Sequence, residues 1–309
     1  MKKITLLVFS IFAVLCVYSC SFLEQNEKKQ MKNPPKHVVM VGFDGLSAYR
    51  IRTDANMPTF RKLMNEGAYT LENRSVLPSS SAVNWASMFM GAGPELHGYT
   101  TWGSQTPELP SRMLTEHNVF PDIYYLLRKN NPDAELGFFY EWEGMKYLVD
   151  TLSINHVESV ALSGTDTKSS VAPVVKYIKE KKPQFCSVIF AEPDGVGHGI
   201  GWESEEYGKV LEHLDKGLAE IVKAIDEAGI REETIIVLSA DHGGIKTGHG
   251  GKTMNEMQTA IVFNGKGIKK GFQIQESTMV YDIAGTIGYI LGVERPQVWI
   301  ARPIMSVFE

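Results

Sequence analysis

Along the chain, short and nearly unbroken apolar runs alternate with stretches in which apolar residues recur every three or four positions. The runs His37–Phe43, Gln184–Phe190, Thr234–Ala240 and Thr259–Phe263 show no polar alternation, as expected of strands covered on both faces. A strand is also predicted over Glu135–Tyr140, and Ser75–Pro78 reads as a strand end. Helical spacing appears over Pro58–Glu66, where Phe60, Leu63 and Met64 share a face and Gly67 is the stop. It recurs over Ala82–Met90, Phe120–Lys129, Ser169–Lys181 (Val171, Val174, Val175, Ile178) and Val280–Leu291. The clearest helix is Ser204–Ala228, with one stripe from Tyr207 through Leu211, Leu214, Leu218 and Ile221 to Ile225, and Gly229 at its end. His213 falls off that stripe and is expected to face solvent. Strand and helix alternate, which predicts an α/β fold with a mainly parallel central sheet sandwiched by helices. The organisation expected is a single domain over residues 37–309, with rim insertions around 99–165.

The first 36 residues follow neither pattern. Lys2-Lys3 is a positive n-region, and Ile4–Val17 is an apolar run shorter than the roughly 20 residues of a membrane span. Ser19-Cys20 follows, so residues 1–20 are expected to be a signal peptide of bacterial lipoprotein type with Cys20 lipidated; a plain secretory signal and an uncleaved anchor are the alternatives. The polar segment 21–36, ending in Pro34-Pro35, reads as a tether. These readings predict an exported, periplasmic or cell-envelope lipoprotein that meets the membrane through its lipid anchor. The 309 residues are 43% hydrophobic and 22% charged, which is globular composition. Net charge is -5, without the basic excess that a nucleic acid duplex would require of its partner. Of the three cysteines, only Cys186 lies beyond the signal segment, so no disulfide within the mature chain is expected.

Candidate chemistry sits where the apolar runs end. His37–Phe43 stops at Asp44-Gly45, and Gln184–Phe190 leads to Glu192-Pro-Asp194-Gly-Val-Gly-His198. Thr234–Ala240 stops at Asp241-His242, with His249 seven residues on in a glycine-rich loop. Carboxylate and imidazole groups at strand mouths are metal-ligand chemistry, and open α/β sheets place their sites at strand carboxyl ends. Ser79-Ser80-Ser81 precedes the helix at Ala82–Met90, where the local positive potential favours an alkoxide or an incoming phosphate. Each motif alone has a plain reading: an Asp-Gly turn, a serine N-cap, a surface Asp-x-x-x-His pair. Trp102, Tyr140 and Trp142 are either pocket walls or core anchors. Charged groups crowded along one edge carry a desolvation cost that packing alone does not offset.

The set resembles the alkaline phosphatase superfamily, and within it the type I phosphodiesterase/nucleotide pyrophosphatase branch. The resemblance is carried by Val41–Gly45, Pro78–Trp85 with Met90–Gly98, Glu192–His198, Ser239–Gly244 and the closing helix Tyr281–Gly292, in matching order over roughly residues 37 to 292. It implies two zinc ions, or other divalent metals. One would be held by Asp44, Ser81, Asp241 and His242, the other by Asp194, His198 and His249. It also implies Ser81 as nucleophile, chosen over Ser79 and Ser80 because asparagine follows three residues on, and Asn84 as a substrate contact. His97 matches a His-Gly turn that is not a ligand there. The short spacing from Asp241 to His249 is like that of ethanolamine-phosphate transferases, and Val83 stands where the branch usually has proline. The Cys/Ser-x-Pro-x-Arg motif of sulfatases is absent from Ser81–Trp85.

The expected function is therefore metal-dependent hydrolysis of phosphate esters through a phospho-Ser81 intermediate, on a small phosphorylated substrate with a phosphodiester or pyrophosphate bond. A phosphomonoesterase, a phosphoethanolamine-type phosphotransferase and a non-enzymatic binding lipoprotein are the alternatives. Oligomeric state is left open by the sequence.

Overall fold

A computed structural model describes Met31 and residues 33–162 and 170–309. The predicted signal segment with Cys20, the tether as far as residue 30, and Ser169, the expected start of one helix, lie outside the described residues.

Residues 34–309 form one compact unit. Among the described residues, eight strands make one sheet. They are β1 (His37–Asp44), β2 (Ala68–Arg74), β3 (Leu136–Tyr140), β4 (His156–Ser159), β5 (Phe185–Pro193), β6 (Thr234–Ala240), β7 (Gln258–Gly265) and β8 (Phe272–Gln273), in the order β4-β3-β5-β1-β6-β7-β2-β8. Only β7 runs against the others, pairing antiparallel with both β6 and β2. The sheet is mixed and mainly parallel, as the sequence pattern predicts.

The helices are α1 (Ala48–Thr53), α2 (Pro58–Asn65), α3 (Ser81–Met90), α4 (Pro94–His97), α5 (Ile123–Asn130), α6 (Ala172–Lys181), α7 (Asp194–Gly199), α8 (Glu205–Glu227), α9 (Met254–Met257) and α10 (Asp282–Ile290). Helices α2, α6 and α8 cover one face of the sheet, over Val39, Val41 and Phe43 of β1 and Val188 and Phe190 of β5. Helices α3, α5 and α10 pack together and cover the other, where Phe89 and Tyr124 meet Phe138. Alternate residues of each central strand thus serve opposite cores, so these strands read as continuous apolar runs. Each fully buried Leu, Ile or Phe contributes about 1.5–3 kcal/mol.

Several boundaries move, each for a local reason. The helix expected from Phe120 begins at Ile123, because the Asp122 side chain accepts from Tyr125 N (2.8 Å) and caps it. The helix at Ala172–Lys181 turns Tyr177 inward beside Val174 and Ile178, leaving Val175 half-buried. Ser75–Pro78 is a connection, and the strand is Ala68–Arg74 before it. The stretch 99–165 is not all rim, since β3 and β4 join the sheet. His213 is half-buried rather than solvent-facing, with no hydrogen-bond partner for Nδ1. On the same helix Asp215 is buried and caps α2, accepting from Thr59 N (2.9 Å) and Phe60 N (2.8 Å). Cys186 in β5 is a free buried thiol whose pKa burial pushes up.

Candidate active site

Three adjacent parallel strands, β5, β1 and β6, end side by side and bring their motifs together. Asp44 closes β1, Asp241-His242 follows β6, and Asp194 opens α7 directly after β5. Gly45, at φ 71°, turns the chain out of β1; its N–H donates to Asp241 Oδ1 (3.1 Å). A Cβ there would meet Asp194 Cβ at 2.9 Å, so the turn requires glycine both for its backbone and for space. Helix α3 starts over the same edge with Ser81 as its first residue.

Around Ser81, Asp44, Asp241 and His242 form a buried group in which one side-chain donor atom from each lies within 4.8 Å of the others. Ser81 Oγ donates to Asp44 Oδ1 (3.3 Å) and lies 3.2 Å from His242 Nε2. Asp44 Oδ2 accepts from Trp85 Nε1 (3.0 Å). That indole packs against Gly42, where a Cβ would meet its ring at 2.5 Å. Beside this group Asp194, His198 and His249 form a second one of the same compactness. The imidazoles of His242 and His249 stack at 3.8 Å between centroids and so join the two groups.

The three histidines share one orientation device. His242 Nδ1 pairs with Gly243 O (2.8 Å), His198 Nδ1 with Thr247 O (3.0 Å) and His249 Nδ1 with Ser79 O (2.8 Å). A carbonyl only accepts, so each Nδ1 carries the proton and each Nε2 presents a lone pair to the carboxylates. His198 Nε2 lies 3.5 Å from Asp194 Oδ2, His249 Nε2 3.6 Å from Asp194 Oδ1 and His242 Nε2 3.3 Å from Asp241 Oδ2. This outer-shell arrangement is the one that fixes metal-ligating imidazoles.

Electrostatics within the site disfavour charge without a counter-ion. Burial, then the charge of Asp194, raises Asp44 well above the carboxylate range; burial, then Asp44, does the same to Asp241. Asp194 is pushed up to about 7 by burial and then by Glu192. Burial, then His249, lowers His242, and burial lowers His249. Asp194 Oδ1 and Asp241 Oδ2 are buried without a hydrogen-bond partner. Orphaned carboxylate oxygens facing imidazole lone pairs are a donor set for divalent cations, and the residues present fit two such ions.

The three adjacent serines have different surroundings. Ser79 Oγ donates to Gly251 O (2.7 Å), Ser80 Oγ has no partner, and Ser81 alone touches Asp44 and His242. The plain N-cap reading fails, since Ser80 occupies the cap position without a side-chain cap bond. Asn84, expected to contact substrate, turns instead to the loop before α3. Its Oδ1 accepts from Val76 N (2.7 Å) and its Nδ2 donates to Pro78 O (3.1 Å) and Ser80 O (3.0 Å). With both ends of its amide engaged and no exposed surface, it positions the serines. His97 is buried and bonded to Ser87 Oγ (2.9 Å) and Tyr99 N (3.1 Å), away from both groups as expected. Tyr140 is core, whereas Trp102 and Trp142 line a cavity of about 900 Å³ over Ser81, so for these two the pocket-wall reading holds.

Sequence reasoning missed Trp202 and Arg50. The buried Trp202 ring lies edge-on to His198 (5.3 Å) and His249 (6.0 Å), and its Nε1 donates to Gly45 O (2.9 Å). Arg50 is buried and donates to Trp202 O (2.6 Å), which fixes that ring's backbone. The only signal for Trp202 was an aromatic residue amid glycines next to His198.

A family profile described as type I phosphodiesterase/nucleotide pyrophosphatase matches residues 38–130 and 137–294. Over 224 residues the chain is 23% identical to mouse ectonucleotide pyrophosphatase/phosphodiesterase family member 1, covering 69% of this chain and 24% of that protein. It is 24% identical over 215 residues to a venom phosphodiesterase of Naja atra, covering 67% and 26%. The match thus spans about a quarter of the length of these relatives. The fold superposes on murine ectonucleotide pyrophosphatase/phosphodiesterase 5, described as an inactive variant in complex with AMP. There the TM-score is 0.71 at 14% identity, over 89% of this chain and all of that one.

Proposed function

The chain belongs to the type I phosphodiesterase/nucleotide pyrophosphatase family, and from that premise we propose that it is a two-metal hydrolase of phosphate esters with Ser81 as nucleophile. The observation that carries this reading is the position of Ser81 Oγ, at a helix start, 3.3 Å from Asp44 Oδ1 and 3.2 Å from His242 Nε2. Zinc ions held by Asp44, Ser81, Asp241 and His242, and by Asp194, His198 and His249, would supply Lewis-acid charge that favours the serine alkoxide and polarises the phosphoryl group.

The chain's own residues account for the rest. Asp44 Oδ1 and His242 Nε2, which Ser81 Oγ faces, would be engaged as ligands, so the hydroxyl proton would leave to solvent, and the first turn of α3 adds positive potential at Oγ. Ser81 Oγ attacks phosphorus, the bond to the departing alcohol or phosphate breaks, and a phospho-serine forms. Water then cleaves that bond at phosphorus, releasing phosphate or its monoester and restoring the hydroxyl. Asn84 holds the serine loop, and the Nδ1–carbonyl bonds hold the three imidazoles. Phosphodiester or pyrophosphate substrates are favoured over dianionic monoesters, because among the described residues lining the cavity there is no Lys or Arg. We also place the protein in the cell envelope, anchored through lipid on Cys20; the n-region and apolar run support this, and labelling with a fatty acid that persists in Cys20→Ala would overturn it.

The test is turnover of bis-p-nitrophenyl phosphate and p-nitrophenyl phosphate by wild type and Ser81→Ala, with metal content measured on both. The variant is expected to lose at least about a thousandfold in kcat while retaining its metals. Full turnover by the variant refutes the nucleophile. Fewer than two metal ions per wild-type chain after reconstitution refutes the two-metal site and favours a binding protein.

A further inference from the structure

The cavity over Ser81 has a second half that the proposed chemistry does not use. Trp102 and Trp142 line it, and Trp102 leaves 69% of its surface exposed, a costly state for an indole with nothing against it. Opposite in character, Glu141 and Glu192 line the same space. Their backbones are on adjacent strand ends: Glu141 N donates to Ile189 O (3.2 Å), and Glu192 lies in β5. Each carboxylate is fixed by the main chain. Glu141 Oε2 accepts from Ala191 N (3.1 Å), and Glu192 Oε2 from Val196 N (3.0 Å).

Asp44 and Asp194 also face this cavity, but they belong to the metal groups, whose cations would neutralise them. Glu141 and Glu192 are not among the residues of either group. No Lys or Arg is among the described residues lining the cavity. Ser80, only 4% exposed, lines it too, and its hydroxyl has no partner in the protein. A polar hydroxyl awaiting a partner, two indoles and two fixed carboxylates thus share one space beside the nucleophile.

From this juxtaposition we propose that the cavity binds an ammonium group carried by the substrate, so that the ester cleaved is a phosphodiester of an amino alcohol. The inference rests on the hydrolase reading above and specifies its substrate. Indole faces attract cations, most of all when the cation is desolvated, and quaternary ammonium groups are recognised by such aromatic walls. Half-buried carboxylates add attraction and repel a polyphosphate tail that lacks a cation. Ser80 Oγ is placed to donate to an ester oxygen of a group bound next to Ser81.

The experiment compares p-nitrophenyl phosphorylcholine with p-nitrophenyl 3,3-dimethylbutyl phosphate, its uncharged isostere. Thymidine 5′-(p-nitrophenyl phosphate) serves as a nucleobase probe and bis-p-nitrophenyl phosphate as a generic diester. Wild type is expected to prefer the choline ester over its isostere by at least about tenfold in kcat/KM. In the double variant Glu141→Gln/Glu192→Gln, which keeps oxygen acceptors for Ala191 N and Val196 N, the ratio is expected to fall towards one. In Trp102→Ala it is expected to fall several-fold. A ratio near one in wild type, or a ratio unchanged in both variants, overturns the proposal, as does a preference for the thymidine ester over the choline ester. If bis-p-nitrophenyl phosphate is hydrolysed in any of these cases, the hydrolase reading survives and the cation site alone falls. A binding arm decides the matter without turnover. On Ser81→Ala protein, indole fluorescence should report phosphocholine binding at least about tenfold tighter than 3,3-dimethylbutyl phosphate, and equal affinities overturn the cation site.

Discussion

Asn84 shows how far a single residue's role can be read from its type and spacing. Its position three residues after Ser81 pointed to a substrate contact, yet its amide is spent on Val76, Pro78 and Ser80. Asn84→Ala would leave the buried Val76 N–H without its acceptor and release the loop that aims Ser81. A loss of about 1–3 kcal/mol in stability is expected. Turnover should fall through kcat, with KM for bis-p-nitrophenyl phosphate little changed; thermal unfolding and steady-state kinetics on the same preparation check both. A rise in KM at unchanged kcat and Tm would restore the substrate-contact reading. The residues of the two candidate metal groups were legible because Asp and His at the ends of apolar strands have few other reasons to be there. Their supports were not. The acceptors for the three imidazoles are main-chain carbonyls of Gly243, Thr247 and Ser79, and any residue type carries a carbonyl. Trp202 and Arg50 were hidden because an aromatic ring or a guanidinium is explained equally well by ordinary core packing or a surface ion pair until its neighbours are known.

Among the elements, legibility followed burial. Strands β1, β5 and β6 are covered on both faces and announced themselves as apolar runs ending in candidate ligands. Strand β2 lies near the sheet's edge and ends in the three polar residues Glu72, Asn73 and Arg74, and β4 is the short edge strand His-Val-Glu-Ser, so neither contrasts with a loop. The reversal of β7 was invisible because a period-two or continuous pattern is the same in either direction. The site depends on how closely α3 lies on β1, and that contact is testable. A methyl group at Gly42 would sit 2.5 Å from the Trp85 ring and 2.7 Å from Ile189 Cδ1. Gly42→Ala must therefore push the helix or the indole outward, and Trp85 Nε1 is bonded to Asp44 Oδ2. The expected result is a destabilisation of about 1–3 kcal/mol from overpacking, accompanied by a fall in kcat. Denaturant unfolding and turnover measure the two effects. A variant of wild-type stability and rate would mean that α3 does not set the position of Asp44.

At the scale of the whole molecule, the site is a set of buried charges that the rest of the fold must tolerate, and this links metal loading to pH. Without metal, burial raises the carboxyls of Asp44 and Asp241, and Asp194 titrates at about 7. A carboxyl whose folded pKa is raised binds protons more tightly in the folded chain than in the unfolded one. Its contribution to stability is full below the ordinary carboxylate pKa and is lost as pH rises through the folded value. The metal-free protein should therefore lose stability from this source as pH climbs through about 7. Metal reverses the balance, because it needs the ionised carboxylates and competes with protons for them; below that pH, each displaced proton costs about 1.4 kcal/mol per pH unit. His242 and His249 act in the opposite sense, their lowered pKa values costing stability as pH falls, but they are neutral with or without metal and cancel in the comparison. Chelation should accordingly lower Tm more at pH 8 than at pH 5.5. One proton displaced at Asp194 corresponds to about 2 kcal/mol across pH 5.5 to 7, or roughly 3–4 °C in Tm for a chain of this size. Scanning calorimetry with and without chelator at the two pH values measures the difference. A chelator effect that is constant with pH, or larger at pH 5.5, would mean that the carboxylates of the two groups are not what the metals neutralise.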